Sequence, residues 1–211
     1  MEISNDYKNA VSEKIKVIEL DSECEVVPMI IKNSGNYREA HYTWALIFSI
    51  LFTSVLYFSP YHFTNPINYI WSQIAGFFVG YLLAYIPSIK RLFIKKIDFN
   101  YEVDQKAALS FLNYNLHLTK NHNGVLIIVS LFERKVRILC DKNIKEKIPQ
   151  NIFDQLILNF GKNYRAHDLK IAFLMALDEL HLLLKEHFPE SDVNKNAIKT
   201  NELNDQLILE L

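Results

Sequence analysis

The chain has 211 residues, 50% of them apolar and 22% charged, with a formal net charge of −1, which excludes a disordered segment and a basic protein that coats nucleic acid. The charge is unevenly spread: Ala40 to Ile89 is a run of 50 residues without Lys, Arg, Asp or Glu. A single water-soluble domain is thereby excluded, and so is a many-spanning transporter, because only this block is long enough to enter a bilayer.

The chain divides into residues 1–39, the uncharged block 40–89 and residues 90–211. In the first part, Asn5 or Asp6 can cap a helix whose apolar positions Val11, Ile15 and Ile18 recur at helical spacing. Cys24 to Ile31 is β-branched and apolar and predicts a strand. Pro28 within it cannot donate a ladder hydrogen bond, which points to an edge strand or a bulge. Asn33-Ser-Gly-Asn36 marks a turn.

The uncharged block holds two apolar runs, Thr43 to Ser59 and Tyr69 to Pro87, separated by a segment carrying Pro60 and Pro66. A hydrocarbon core about 30 Å thick takes roughly 20 helical residues to cross, so the block reads as a transmembrane helical hairpin. The first run contains nine Leu, Ile, Phe and Val residues, which together favour insertion by roughly 3 to 5 kcal/mol. A cleaved signal peptide is not expected, since mostly polar residues precede the run. The connecting segment has no Lys or Arg, whereas Lys32 and Arg38 precede the first run and Lys90, Arg91, Lys95 and Lys96 follow the second. Both termini are therefore expected in the cytoplasm. Tyr42, Trp44 and Tyr85 would lie at the inner headgroups, and Tyr57, Tyr61, Tyr69 and Trp71 at the outer ones. Small residues recur at every fourth position: Ala45, Ser49 and Thr53, then Ser72, Gly76, Gly80 and Ala84. Such stripes serve close helix packing, within one hairpin or between two copies through Gly76-x-x-x-Gly80.

Beyond the block, Val103, Ala107, Phe111 and Tyr114 share one face of a helix that Asp104 could help cap and Gly124 would terminate. Val125 to Leu131 is a continuous apolar run, the pattern of a strand buried on both faces. It should form an antiparallel hairpin with Val136 to Cys140 through Glu133-Arg134-Lys135. Pro149 opens a helix that Gly161 should close, and Asp168 opens a longer one with Leu169, Phe173, Leu177, Leu180 and Leu184 on its core face, ending before Pro189. One sheet needs the strand before the membrane block and the strands after it, so the block interrupts an α/β domain.

These residues resemble the TPM domain family, whose members include thylakoid photosystem repair factors and auxiliary subunits of a neurotransmitter receptor. The resemblance lies in Ser22-Glu-Cys-Glu-Val-Val-Pro, Ser34-Gly-Asn-Tyr37-Arg38-Glu39-Ala40, a transmembrane hairpin at that point as in the bacterial membrane branch, Thr119, Gly124 to Ile127, Ser130 to Arg134, and Asp141 with Ile144. Phe188-Pro189 and Asn201-Glu202-Leu203 resemble the closing segment, so the likeness spans about residues 10 to 208. Lys142-Asn143 and Cys24 depart from the family pattern. The resemblance implies a mixed-sheet α/β/α fold interrupted by the two-helix hairpin, an ion site at a strand end, and an acid phosphatase activity found in some members.

Glu133, Arg134 and Asp141 bracket the expected β-hairpin, where they could meet and bind a divalent cation, Ca²⁺ or Mg²⁺, through Asp141 and Glu133. Alternatively an Arg134–carboxylate pair fastens the turn. Ser34 and Tyr37 either position the chain as it enters the membrane or line the cleft above the sheet. The sequence has no Asp-x-Asp pair and no Cys followed six residues later by Arg, the signatures of two covalent phosphatase chemistries. Cys24 and Cys140 read as buried thiols, although adjacent positions in the sheet would let them meet. The histidine spacings support no zinc site. The expectation is a bacterial-type inner-membrane protein with a non-catalytic accessory or assembly role. Its partners would be the lipid bilayer and a membrane protein or a second copy of the chain, with no nucleic acid. A membrane-anchored, metal-dependent phosphatase is the alternative.

Overall fold

The computed structural model describes residues 4–60, 64–190 and 206–210. Its contacts divide the chain into two units, Met1–Ser34 with Glu102–Leu211, and Gly35–Tyr101. In chain order the elements are α1 (Asn5–Asp21), β1 (Glu25–Ile31), α2 (Arg38–Phe58), α3 (Ile67–Leu83), α4 (Pro87–Lys90), α5 (Lys96–Asn113), β2 (Gly124–Ser130), β3 (Lys135–Cys140), α6 (Lys142–Lys147), α7 (Gln150–Ala166), α8 (Leu169–His187) and β4 (Ile208–Glu210).

The first unit is built on one mixed sheet of order β3-β2-β1-β4. β1 runs parallel to β2 from Glu25↔Gly124 to Ile31↔Ser130, so the sheet joins chain from both sides of the uncharged block. β2 pairs antiparallel with β3, and β1 parallel with the short β4. Alternation along the strands sends Val26, Ile30, Val125, Ile127 and Val129 into one core with α1, α7 and α8. Val27, Met29, Ile31, Leu126 and Ile128 face the opposite core with Ala107 and Leu116. Both β1 and β2 are buried along their full length, as continuous apolar strands require.

Pro28 does not place β1 at the sheet edge, because β2 and β4 flank it on either side. The expectation fails for a local reason. The amides of Val26 and Lys32 both point away from β2, one to the Glu19 carboxylate and the other to the Glu210 carbonyl. Pro28 is in phase with them, and β4 pairs only from Met29 onward. The missing N–H therefore falls where no ladder partner reaches.

Helix boundaries follow capping chemistry. Ser4, rather than Asn5 or Asp6, caps α1 through Tyr7 N–H. Asp168 caps α8 at 2.8 Å to Ile171 N–H, and the whole predicted stripe of α8 is buried. Gly124 does not end α5. That helix stops at Asn113, Asn115 turns left-handed at φ 58°, and Gly124 opens β2, where a side chain would strike the Leu116 backbone. Gly161 does not end α7 either, since the helix runs on to Ala166.

Cys24 and Cys140 are both buried and free. β2 lies between their strands, so two strand spacings put them about 10 Å apart, beyond disulfide reach. Burial pushes the Cys140 thiol up to about 12, which keeps it protonated and unreactive.

Asp21 ties α1 to α8, accepting from Lys185 Nζ at 2.7 Å and lying 3.0 Å from His181 Nε2. The Lys185 hydrogen bond holds the Asp21 carboxyl below its ordinary 3.8; partial burial opposes this and His181 adds to it. A lowered folded-state value stabilises the fold above the unfolded value and is lost as pH falls through the folded one. Asp21→Asn is therefore expected to lower stability at neutral pH, with the difference from the parent closing as pH falls below about 4. Urea titrations of both chains across that range check it.

Candidate functional site

The connection between β2 and β3 folds back onto the end of β1: Leu131 N–H donates to the Ile31 carbonyl at 3.0 Å and Phe132 N–H to the Lys32 carbonyl at 2.9 Å. This turns Glu133 inward, leaving it 1% exposed. Its Oε1 accepts from the Ser34 amide at 2.9 Å and the Ser34 hydroxyl at 2.8 Å, and its Oε2 accepts from the Ser130 hydroxyl. A buried carboxylate persists when donors replace its water. Here the donors come from chain before and after the uncharged block, so Glu133 stitches the two together. The turn is fastened by this carboxylate, with serines in place of the expected Arg134 pairing. Arg134 is exposed and left-handed at φ 53°.

Asp141 closes the other end of β3. Its Oδ1 accepts from Lys142 N–H at 2.7 Å, capping α6, and its Oδ2 lies 3.2 Å from His122 Nδ1. Its own amide donates to the Gly124 carbonyl at 2.9 Å. The Asn143 amide donates to the Asn121 carbonyl, bracing the same loop. The ladder runs from Ser130↔Lys135 beside Glu133 to Val125↔Cys140 beside Asp141. Five strand steps separate the two ends by about 17 Å. The expectation that Glu133 and Asp141 meet is thus corrected: they flank opposite ends of the hairpin and cannot share a cation. Among the described residues no group of three or more His, Cys, Asp and Glu could hold a metal ion.

The second unit is a helical hairpin. α2 has 21 residues and is long and apolar enough to cross a membrane. α3 has 17 residues and qualifies only together with Pro87–Phe93, to which it is bent by 104°. The second helix therefore stops at Leu83, short of the expected Pro87, with Pro87 starting a new turn in the position proline favours. The small-residue stripes meet inside the hairpin. A side-chain carbon at Gly76 would sit 2.7 Å from the Phe48 carbonyl oxygen and 3.1 Å from Ser49 Cα, and one at Gly80 would sit 2.9 Å from Ala45 Cα. The Thr53 and Ser72 hydroxyls are 3.1 Å apart. The Gly76-x-x-x-Gly80 face is filled by α2.

Tyr37 is buried at the start of α2 with φ 45°, edge-on to Phe99 at 5.5 Å, with Lys90 Nζ 6.0 Å from its ring. Lys90 also donates to the Asn36 carbonyl at 2.8 Å. Tyr37 thus anchors the entry to the hairpin within that unit. Trp44 donates to the Ile89 carbonyl at 2.9 Å and packs edge-on to Phe93. Tyr61 and the Asn201-Glu202-Leu203 segment lie outside the described residues. Ser130 entered only through the run Ser130 to Arg134, and its bond to Glu133 was not read from the sequence, although a three-residue offset is the spacing of a local side-chain bond. His122 was missed because its partner is 19 residues away.

Comparison with known proteins places this geometry. The TPM domain family model matches residues 84–182, a span that holds α4, α5, β2, β3, α6, α7 and most of α8 but not β1. Among solved structures, the NMR structure of the BA42 protein from the psychrophilic bacterium Bizionia argentinensis is similar, with a TM-score of 0.59 at 14% identity over 99% of this chain and 96% of that one. At that identity the likeness concerns the fold. No curated protein matches the chain.

Proposed function

We propose that the chain, whose residues 84–182 match the TPM domain family model, is an integral protein of the bacterial cytoplasmic membrane. In this reading the domain faces the cytoplasm and serves as a non-catalytic accessory or assembly factor, binding a membrane protein partner or an ion at that face. The supporting observation is α2. Many of its apolar side chains stay uncovered, with Leu46 60%, Val55 60% and Phe58 83% exposed. A soluble protein rarely leaves so continuous an apolar surface in water, whereas a bilayer covers it. Lys90, Arg91, Lys95 and Lys96 after the hairpin, with none in its connecting segment, orient both termini to the cytoplasm.

The accessory reading is preferred to a metal-dependent phosphatase because Glu133 is already engaged by serine and amide donors and lies a strand length from Asp141. The test has two parts. A cysteine replacing His62, in the segment between the helices, is expected to react with an impermeant thiol reagent on intact cells; protection there overturns the orientation. Crosslinking in the native membrane is expected to recover one dominant membrane protein at stoichiometric yield. Recovery of the chain alone overturns the accessory role and moves a turnover assay to the front.

A further inference from the structure

A cavity of about 200 Å³ opens in the first unit, between the turn end of β3 and the C-terminal half of α7. Val136 and Ile157 are among its apolar lining residues, and Phe160 and Tyr164, stacked with centroids 6.3 Å apart, add an aromatic wall. Arg134 and Lys135 also line it. Neither forms an ion pair among the described residues.

Two lining positions hold residues that cost the fold. Arg134 adopts φ 53°, a left-handed conformation that favours glycine or asparagine. Gly161 lies inside α7, where alanine is the better helix former, and a side-chain carbon built there meets nothing within 4 Å. Packing forbids neither cheaper residue. A loop position suited to glycine carries a guanidinium, a helix position suited to alanine carries no side chain, and both line the same cavity. Each departure makes sense if the space is kept open and the cation kept at hand for a ligand.

We propose that this cavity binds a small free acid with an aromatic or short acyl body and one anionic head, the body lying against Phe160 and Tyr164 and the head meeting Arg134. The volume sets the size. An apolar cavity of about 150 Å³ accommodates benzene, so this one takes a ring with a short acidic arm and is too small for a membrane lipid with its tails. The unpaired guanidinium sets the charge, because it forms paired hydrogen bonds with carboxylate or phosphate. This site is separate from Asp141 and from the hairpin, and it does not depend on the membrane reading.

The experiment is ligand-observed NMR on the full chain in nanodiscs, with 3-phenylpropionate as probe, 3-phenylpropanol as its uncharged counterpart and acetate as the head without the body. Saturable 3-phenylpropionate binding is expected, about tenfold weaker for the alcohol and undetectable for acetate. Gly161→Leu, which fills the space, is expected to abolish binding. Arg134→Gly, which relaxes the turn, is expected to weaken it about tenfold. Melting temperatures of both variants should equal or exceed that of the parent, which separates loss of binding from loss of fold. Equal binding of acid and alcohol, undiminished binding to Gly161→Leu, or no saturable binding of 3-phenylpropionate overturns the proposal.

Discussion

Replacing Glu133 with alanine is expected to lower the melting temperature of the full chain by roughly 6 to 12 °C, the shift that about 3 kcal/mol produces in a protein of this size. The magnitude follows from what is left behind. Ser130 is fully buried and loses the acceptor for its hydroxyl, while the Ser34 amide and hydroxyl lose the same carboxylate. A buried donor without a partner costs about 1 to 3 kcal/mol, and water can reach only the Ser34 end, which is half-buried. Glu133→Gln keeps a carbonyl oxygen for Ser34 and gives the Ser130 hydroxyl an amide donor, so about half the loss is expected. Ser130→Ala, which removes a donor and leaves the carboxylate its Ser34 bonds, should fall between the glutamine variant and the parent. Scanning calorimetry of the four chains in detergent orders them. A melting temperature for Glu133→Ala within a degree or two of the parent would mean that this carboxylate does not join the two segments.

The same residue shows how far sequence reasoning reaches. Glu133 stood out as a chemically able group in a tight connection, and it does sit there. Its role was misread because the sequence does not say which way a turn residue faces. The Leu131 and Phe132 amides bonding to the end of β1 rotate it inward, and that is tertiary information. Strands announced themselves wherever one physical constraint dominated. Val125 to Leu131 reads most directly as a doubly buried strand, and Val136 to Cys140 alternates as an antiparallel partner should. β4 was invisible, since three residues pairing with one edge carry no periodic signal. Glycine was the least reliable guide. Gly124, Gly161, and the pair Gly76 and Gly80 serve three different purposes: backbone clearance beside Leu116, an open cavity wall, and close helix contact. Only that pair was legible, because its four-residue spacing repeats on the partner helix. Asp141 was found by its place at a strand end, but its cap to Lys142 and its His122 neighbour serve the loop, so proximity in sequence to Glu133 was no guide to proximity in space.

Replacing Gly80 with leucine is expected to separate the two helices of the hairpin, the largest effect of any single substitution in that unit. The first side-chain carbon would meet the Trp44 carbonyl oxygen, Phe48 Cβ at 2.7 Å and Ala45 Cα at 2.9 Å. All three belong to the backbone or are fixed to it by a single bond, and none can rotate aside as the end of a long side chain would. α2 and α3 must move apart, and the dispersion contacts that hold closely packed helices together weaken steeply with a gap of even 1 Å. Crosslinking reads the separation directly. In a chain carrying Thr53→Cys and Ser72→Cys, whose parent hydroxyls are 3.1 Å apart, an oxidant should form a disulfide readily. Adding Gly80→Leu should abolish that crosslink, while Gly161→Ala, placed where nothing lies within 4 Å, should leave it intact. Gly76→Leu should act in the same direction with a smaller effect, because Phe48 O at 2.7 Å and Ser49 Cα at 3.1 Å confront it a little less closely. A crosslink that survives Gly80→Leu would place the helix contact elsewhere, and it would return the small-residue stripe to the role of an interface between copies.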